Sequence, residues 1–369
     1  MTVKVVILGA GYAGISAAQR LARRGVDADV TVVDQRDQFI ERIRLHQFIS
    51  GTHAAATPLR SILPTSIELR IGAAESIDFH EQRLQLASGS LDYDYLIYAV
   101  GSHSHTDSIR GSAANAVTIG TFEQAQRARS RIEQLPPRST ITIIGGGLTG
   151  IETAAELAES TSHRIRLISD QRLAPTVSER GRRLLYSHLI AADVEIIDDT
   201  AVLGIADGGV ELSDGNFLTS DLIIDVAAFG VPDLARRSGL STDPRGALTV
   251  DDTLISNSNS TVIGAGDAAA IIGSPLRMSC QAAIPTGVHA AETVLNLVAG
   301  TTPKPLRPKF VGQCVSLGRR NAVFQLTNSA DRPRSSATLT GRPAALVKEQ
   351  ICSSTMWFGH RGPISYSWS

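Results

Sequence analysis

The amino-acid sequence predicts an α/β fold with two Rossmann-type dinucleotide-binding domains and a small C-terminal region. Two observations carry this prediction. An apolar strand predicted for residues 3–8 leads into a Gly-rich turn and a helix, and the same order of elements returns from residue 141. A G-x-G-x-x-G turn between a strand and a helix is typical of a loop that binds the phosphates of a dinucleotide. Two such units in one chain predict two dinucleotide sites.

The first unit carries all the features of a phosphate-binding turn. Its small turn residues are Gly9, Gly11, Ala13 and Gly14. The three glycines allow a tight turn, close approach of a pyrophosphate and close contact between helix and strand. The helix that starts there offers free N–H groups and the positive end of its dipole. The next strand ends on Asp34, near the separation of about 20 residues at which a carboxylate accepts hydrogen bonds from a ribose.

The second unit repeats this plan between a strand predicted for residues 141–144 and a helix predicted for residues 151–159. Its turn residues are Gly145, Gly147, Leu148, Thr149 and Gly150. They are expected to bind the second dinucleotide for the same physical reasons as the first turn.

The ribose-binding residue of the second unit can be placed in two ways. Counting from the first glycine without a gap puts Asp170 where Asp34 lies in the first unit, which favours NADH. Aligning the ends of the strands puts Ser169 there instead, with Arg172 close by, and this pair would suit the 2′-phosphate of NADPH. The ungapped count is slightly preferred, so Asp170 is the expected ribose ligand, while NADPH stays open.

Two shorter turns complete the pattern. One lies at Ala99, Val100 and Gly101, after a predicted strand. It resembles the turn of two-dinucleotide flavoproteins at which the chain crosses between domains. The other contains Gly266 and Asp267 and resembles their late FAD motif, in which the aspartate holds the ribityl chain. The first Gly-rich loop is therefore expected to bind FAD, and the second to bind NAD(P)H.

As a set, these motifs resemble the type II NADH:quinone oxidoreductase family, within the wider pyridine nucleotide–disulfide reductase fold. The matching segments, in the family's order, are Gly145 to Leu157, Phe229 to Pro232, Gly246 to Asp251 and Gly264 to Asp267. The resemblance covers about residues 3–298. It implies a quinone or quinone-like electron acceptor. The chain departs from the family by lacking a second glutamine after Gln281 and by showing no membrane-anchoring helices.

Three residues are candidates for catalysis. Glu152 matches a family carboxylate that approaches the nicotinamide and the quinone, and Gln281 matches a glutamine near the flavin. Lys348 is a candidate proton donor in the acceptor pocket. The structural alternatives are a helix N-terminal acid for Glu152, an ordinary helix residue for Gln281 and a solvated helix face for Lys348. Arg44, with Arg42, is a candidate for neutralising the FAD pyrophosphate or contacting a substrate.

The charge, the cysteine spacing and the apolar runs of the chain limit the classes of partner that the protein could bind. The formal net charge of −1 and the lack of a basic stripe argue against nucleic acid. The three cysteines, Cys280, Cys314 and Cys352, are too far apart in sequence for a metal cluster or a dithiol pair, and they fit a cytoplasmic protein. No apolar run approaches the roughly 20 residues of a transmembrane helix, so at most a peripheral membrane contact is expected. A homodimer stays open, and Trp357 and Tyr366 are candidates for a lid or a dimer contact.

The expected domains are residues 1–115 and 256–300 for FAD, residues 116–255 for NAD(P) and residues 301–369 for the C-terminal region. The expected reaction moves a hydride from NAD(P)H to the flavin and then electrons to a quinone-like acceptor. Three alternatives share the fold. The acceptor could be a ferredoxin-like protein or a sulfur compound, the enzyme could use oxygen or another organic substrate in small-molecule biosynthesis, or the chain could be a slow redox sensor. The missing cysteine pairs count against disulfide or sulfide chemistry.

Overall fold

The structure is a computed structural model that describes residues 2–25, 28–106, 108–360 and 368. The strands are β1 (Val3–Leu8), β2 (Ala28–Asp34), β3 (Gln38–Ile40), β4 (Ala56–Pro58), β5 (Glu68–Ile71), β6 (Ala74–Asp78), β7 (Arg83–Leu86), β8 (Gly89–Asp92), β9 (Tyr95–Tyr98), β10 (His103–Ser104), β11 (Thr140–Ile144), β12 (Arg164–Ile168), β13 (Glu195–Ile197), β14 (Val202–Ala206), β15 (Gly209–Leu212), β16 (Phe217–Thr219), β17 (Leu222–Asp225), β18 (Phe229–Gly230), β19 (Leu248–Val250), β20 (Val262–Gly264), β21 (Ala269–Ile271), β22 (Gly312–Ser316), β23 (Ala322–Thr327) and β24 (Pro333–Thr340). The α-helices are α1 (Tyr12–Arg24), α2 (Leu45–Ile49), α3 (Ser112–Asn115), α4 (Phe122–Glu133), α5 (Leu148–Ser160), α6 (Glu179–Ala191), α7 (Leu234–Arg237), α8 (Cys280–Val298) and α9 (Gly341–His360).

The first Gly-rich turn lies on a five-stranded parallel sheet of order β20-β9-β1-β2-β5. Strand β1 is central, and its residues 5–8 are fully buried. A strand covered on both faces reads as a continuous apolar run, which is why this segment is recognisable in the sequence. Strand β20, which is distant in the chain, joins the same sheet at its edge. Helix α1 packs against α8 beside this sheet.

The second Gly-rich turn lies on a four-stranded parallel sheet of order β13-β12-β11-β17. Strand β11 is again followed at once by the turn and by α5. In both sheets the turn therefore lies at the carboxyl end of an inner strand, where open parallel sheets bind their ligands. An antiparallel sheet of β14, β15 and β16 is appended to this unit, and the turn between β15 and β16 contains Gly215, whose φ is +88°.

The C-terminal region forms an antiparallel sheet of β22, β23 and β24 with α9 packed on it. Val315, Leu317 and Val323 of this region belong to the hydrophobic core of the second unit. The short helix α2 contributes Leu45 and Phe48 to the same core, although it follows the first unit in sequence. The C-terminal region and α2 thus both pack against the second unit.

The predicted fold class is confirmed, because both strand–turn–helix units form on parallel sheets. Tyr366 lies outside the described residues, as does the side chain of Trp357. In the part of the chain described, no helix is both long enough and apolar enough to cross a lipid bilayer.

Candidate active site

The first Gly-rich turn is shaped so that only glycine fits at two positions. Gly9 has a φ of +104°, and a Cβ there would lie 2.4 Å from the carbonyl oxygen of Ala99. A Cβ on Gly14 would lie 1.8 Å from the carbonyl oxygen of Gly9. Gly11, in contrast, faces open space and caps α1 without a side-chain hydrogen bond from any described residue. The N–H groups of the first turn of α1 are therefore available to a phosphate.

Asp34 ends β2 beside this turn, as predicted, and its carboxylate is held in place by the backbone. Its Oδ2 accepts a hydrogen bond from the N–H of Ala10 at 2.7 Å, and its Oδ1 accepts one from the N–H of Arg36 at 3.0 Å. Burial raises the pKa of Asp34, although these N–H donors act in the opposite direction. The arrangement leaves a fixed carboxylate at the place where a ribose would lie.

The second turn has the same geometry. Gly145 has a φ of +126°, and a Cβ there would lie 2.9 Å from the carbonyl of Val226. A Cβ on Gly150 would lie 1.9 Å from the oxygen of Gly145, while Gly147 faces open space. Because the two turns match position by position, both fit the phosphates of a dinucleotide.

The structure places Ser169, rather than Asp170, at the position of Asp34. The N–H of Gly9 donates to Val33, the residue before Asp34, and the N–H of Gly145 donates to Ile168, the residue before Ser169. A Cβ on Gly146 would lie 2.1 Å from Ser169 Oγ, so this side chain directly faces the turn. Asp170 is exposed one residue further on. The expectation that Asp170 occupies the position of Asp34 is therefore corrected. The segment from the first glycine to the end of the next strand is one residue shorter in the second unit than in the first, so an ungapped count overshoots by one.

A cavity of about 490 Å³ lies where the two units and the C-terminal region meet. Its volume is within the range of ligand sites in proteins, about 300–1,000 Å³. The predicted site residues that line it are Leu148, Thr149, Glu152, Asp267, Gln281 and Lys348. Glu152 on α5 and Lys348 on α9, both candidates for the acceptor site, therefore lie at the same cavity although they are distant in sequence.

Glu152 and Lys348 form a buried ion pair on the cavity wall. Lys348 Nζ lies 2.8 Å from Glu152 Oε1, which also accepts a hydrogen bond from the N–H of Ser316 at 2.9 Å. The side chains are only 14% and 10% exposed. Burial would raise the pKa of Glu152, but the Lys348 ammonium holds that pKa below its usual range. Burial opposes the charge on Lys348, yet Glu152 keeps the pKa of Lys348 above its usual range. Both partners are therefore charged at neutral pH.

Asp267 belongs to a second polar group on the cavity lining. Ser102 Oγ donates to Asp267 Oδ2 at 2.7 Å, and Arg42 Nη1 donates to Ser102 Oγ at 2.9 Å. Arg42 also donates through Nε to the carbonyl of Gly120 at 3.1 Å. The turn at Gly101, whose φ is +70°, brings Ser102 into this position. Sequence reasoning did not find Ser102, because an isolated serine after a turn carries no pattern.

Arg44 does not line the cavity and does not face the first Gly-rich turn. It is 2% exposed, and its Nη2 lies 2.6 Å from Glu349 Oε1 on α9. Its Nε lies 3.1 Å from Glu41 Oε2. The predicted cofactor contact of Arg44 is replaced by a buried contact between the segment before α2 and the C-terminal helix. Arg42 is the arginine of this pair that reaches the cavity.

His46 and Gln281 are two further polar side chains on the cavity lining. His46 of α2 is 3% exposed, and its Nε2 has no hydrogen-bond partner among the described residues. Burial lowers the pKa of His46 to about 4, so the imidazole is neutral at neutral pH. The Gln281 amide, oriented so that its nitrogen donates to the carbonyl of Gly312 at 3.0 Å, connects α8 to β22. His46 was missed because a lone histidine in a short helix has no distinctive spacing.

Two of the three cysteines also reach the cavity. Cys280 and Cys314 line it, and all three cysteines are free. Burial raises the pKa of Cys280 to about 11 and that of Cys314 to about 12, so both are thiols at neutral pH. A thiol is a poor nucleophile compared with a thiolate. Within the described ranges, no group of three or more His, Cys, Asp or Glu side chains could hold a metal ion.

Comparison with known proteins agrees with this geometry. The chain is 28% identical to an NADH dehydrogenase-like protein of Mycobacterium tuberculosis, over 94% of this chain and 92% of that protein. It is 24% identical to the type II NADH:quinone oxidoreductase of Staphylococcus haemolyticus, over 94% of each chain. The structure of NDH2 from Plasmodium falciparum in complex with NADH has the same fold, with a TM-score of 0.83, 15% identity and 97% coverage of each chain.

The resemblance inferred from the sequence motifs is confirmed by these relatives. The family model of the pyridine nucleotide-disulphide oxidoreductases matches residues 3–290, which contain both Gly-rich turns, Glu152 and Asp267. The fold, the two dinucleotide turns and this match lead to one conclusion: the chain belongs to the pyridine nucleotide-disulphide oxidoreductase family.

Proposed function

We propose that this chain is an FAD-dependent NAD(P)H dehydrogenase that reduces a quinone. The observation that carries the proposal is the cavity at which the FAD-type unit, the NAD(P)-type unit and the buried Glu152–Lys348 pair meet. A site of this kind suits the transfer of electrons from one bound aromatic ring system to another. The relatives named for NADH dehydrogenase and quinone activity support the same choice of acceptor.

The residues divide the work between binding the two dinucleotides and stabilising charge on the acceptor. The first turn and Asp34 would hold the pyrophosphate and ribose of FAD, Asp267 would hold its ribityl chain, and the turn from Gly145 to Gly150 would hold NAD(P)H. Bound FAD would supply the redox chemistry, which is hydride uptake from NAD(P)H and electron transfer to the acceptor. The Lys348 ammonium stabilises negative charge that develops on an acceptor oxygen, and Glu152 keeps that ammonium charged and positioned.

The acceptor is tested by anaerobic reduction followed by a screen. NAD(P)H should bleach the flavin rapidly in a stopped-flow experiment, and menadione should reoxidise it faster than oxygen or ferredoxin does. Bleaching slower than about 0.1 s⁻¹, far below usual turnover, would favour the redox sensor over the enzyme. If no quinone accelerates reoxidation, the choice of acceptor is wrong. The raised thiol pKa values of Cys280 and Cys314 support a quinone over a sulfur compound.

Replacing Ser169 by aspartate should shift the enzyme toward NADH. A carboxylate at this position would accept hydrogen bonds from the ribose of NADH and repel the 2′-phosphate of NADPH, so the ratio of kcat/KM for NADH to that for NADPH should rise by about tenfold or more. Asp170→Asn is the matched control, because Asp170 is exposed and lies one residue beyond this position. If D170N changes this ratio more than S169D does, Asp170 rather than Ser169 is the residue that faces the ribose, as the ungapped count predicts.

We infer that a lipid-soluble quinone is reached by peripheral contact with the cytoplasmic face of a membrane. Two exposed apolar side chains support this location. Val311 lines the cavity and is 49% exposed, and Leu346 on α9 is 70% exposed. Cosedimentation with lipid vesicles should fall when both are replaced by glutamine, and unchanged cosedimentation would contradict the membrane contact.

The association of two chains into a homodimer stays a prediction.

A further inference from the structure

Glu156 is a buried acid that the proposed function does not use. It lies one helical turn beyond Glu152 on α5 and is 1% exposed. Its Oε1 accepts a hydrogen bond from the hydroxyl of Thr52 at 2.6 Å, while its Oε2 has no hydrogen-bond partner among the described residues. A buried polar atom without a partner is uncommon in folded proteins and requires an explanation.

The surroundings of Glu156 favour a carboxyl group that can carry a proton. Its own helix presents Glu152 on one side and Glu159 on the other. Thr52, in the turn after α2, and Arg319, in the turn between β22 and β23, face it from the neighbouring elements. Burial raises the pKa of Glu156, and this effect is larger than the opposing effects of the Thr52 hydroxyl and the Arg319 guanidinium. Protonation of the carboxyl is therefore less costly here than in water.

Thr52 connects this buried acid with the solvent. Thr52 is exposed, so its hydroxyl can exchange protons with water while it donates to Glu156. On the inner side, Glu152 and Glu156 are separated by four residues, which places them next to each other on one face of the helix. Glu152 in turn contacts Lys348 on the cavity wall. The order from outside to inside is thus Thr52, Glu156, Glu152 and the cavity.

We propose that Thr52 and Glu156 form the path by which a proton from solvent reaches the acceptor site. The proposal rests on the proposed function, in which NAD(P)H, one proton and a quinone give NAD(P)⁺ and a quinol. The hydrogen on Glu156 passes inward to the Glu152 carboxylate, and Glu152, which lines the cavity, passes a hydrogen to the oxygen of the reduced acceptor. The hydroxyl hydrogen of Thr52 then moves to Glu156, and Thr52 takes a proton from water. The path is unchanged after one turnover, and one proton has moved inward. Glu156 does not contact the acceptor; it acts through Glu152, as a positioning residue that holds the proton next to Glu152.

The path is tested with Glu156→Gln in the FAD-loaded enzyme. The kcat for quinone reduction should fall by about a hundredfold or more, as for loss of proton transfer, with KM for the quinone nearly unchanged. Flavin bleaching by NAD(P)H and reduction of ferricyanide, which takes up no proton, should stay as in the unmodified enzyme. Glu156→Asp should recover part of the rate. Glu133→Gln is the matched control, because Glu133 is exposed on α4 and pairs only with Arg129 among the described residues.

Thr52→Val keeps the test independent of folding. Thr52 is exposed, so its replacement should leave the fold intact while it lowers quinone reduction in the same direction as E156Q. If E156Q also loses flavin bleaching and ferricyanide reduction, its fold or its cofactor binding is damaged, and the rate of quinone reduction in T52V then tests the path. An unchanged rate of quinone reduction in T52V overturns the path.

Infrared difference spectroscopy separates this proposal from the choice of acceptor. The oxidised protein should show the carbonyl stretch of a protonated buried carboxyl, and this band should be absent in E156Q and present in E133Q. If the unmodified enzyme reduces no quinone, but its band disappears in E156Q and remains in E133Q, the proposed acceptor is wrong while the assignment of Glu156 as a protonated buried acid is supported. If the band is missing from the unmodified protein, or persists in E156Q, the path is wrong.

Discussion

Replacing Lys348 by methionine should lower the free energy of unfolding at neutral pH by about 3–5 kcal/mol, the cost of leaving one member of a buried ion pair without its partner. Methionine keeps most of the side-chain length and removes the charge. Glu152 would then be an isolated carboxylate at 10% exposure, with the N–H of Ser316 as its remaining hydrogen-bond donor among the described residues. Urea denaturation at a fixed FAD concentration measures the loss, since bound cofactor itself shifts stability.

The pH dependence of this loss has a definite sign. In the unmodified protein the pKa of Glu152 lies below its usual range, so its stabilising contribution is present at neutral pH and is lost as the pH falls through that lowered pKa. In K348M, burial should raise the pKa of Glu152 instead. The free energy of unfolding of K348M should therefore fall as the pH rises through this raised pKa, because the buried carboxyl must then lose its proton. The difference between the two proteins should therefore shrink toward acid pH.

The double variant Glu152→Gln with Lys348→Met is the control for this interpretation. Replacing both members of a buried pair is far less costly than removing one, so the double variant should be more stable than K348M. A double variant as unstable as K348M would show that packing around α9, rather than the unpaired charge, caused the loss.

The variant Gly14→Ala should lose FAD almost completely, by more than about tenfold in bound flavin per protein chain, because overpacking of this kind cannot be relieved locally. The new Cβ would lie 1.8 Å from the oxygen of Gly9, so α1 would have to move away from β1. Helix α8 blocks that movement, because a Cβ on Gly287 would already lie 2.0 Å from the oxygen of Ala13. The absorbance ratio of flavin to protein after gel filtration measures the result.

Two matched variants separate the backbone effect from the cofactor contact. Gly11→Ala places its Cβ in open space, so the apoprotein should be as stable as the unmodified one and only FAD affinity should fall. Gly150→Ala, whose Cβ would lie 1.9 Å from the oxygen of Gly145, should weaken NAD(P)H binding while FAD is retained. If G14A keeps its flavin, the close contact of α1 with the first turn is not essential.

The sequence was sufficient to predict the two Gly-rich turns between strand and helix, because their requirements are local. Gly9 and Gly145 are needed for positive φ angles, and Asp34 ends the strand that pairs with β1. Ser169 was the exception within this local pattern. Its position depends on where β12 ends relative to β11, and that register comes from strand pairing rather than from a count along the chain.

The cavity wall could not be predicted in the same way, because its members come from distant segments. Glu152 and Lys348 were both candidates, yet no periodicity links a residue on α5 to one on α9. Arg44 was assigned to the cofactor because a cation near a phosphate site is plausible, whereas its burial against Glu349 depends on how α9 packs. His46 was missed for the same reason.

The position of Lys348 also has a consequence for how the protein is made. A ribosome releases the N-terminal part of a chain first, and domains generally fold as they emerge. Both Gly-rich turns and Asp267 precede α9 in the chain, so the elements proposed to hold FAD and NAD(P)H can be assembled while the cavity wall that contains Lys348 is still being synthesised. During biosynthesis, the ability to bind the cofactors should therefore precede the ability to deliver electrons to the acceptor.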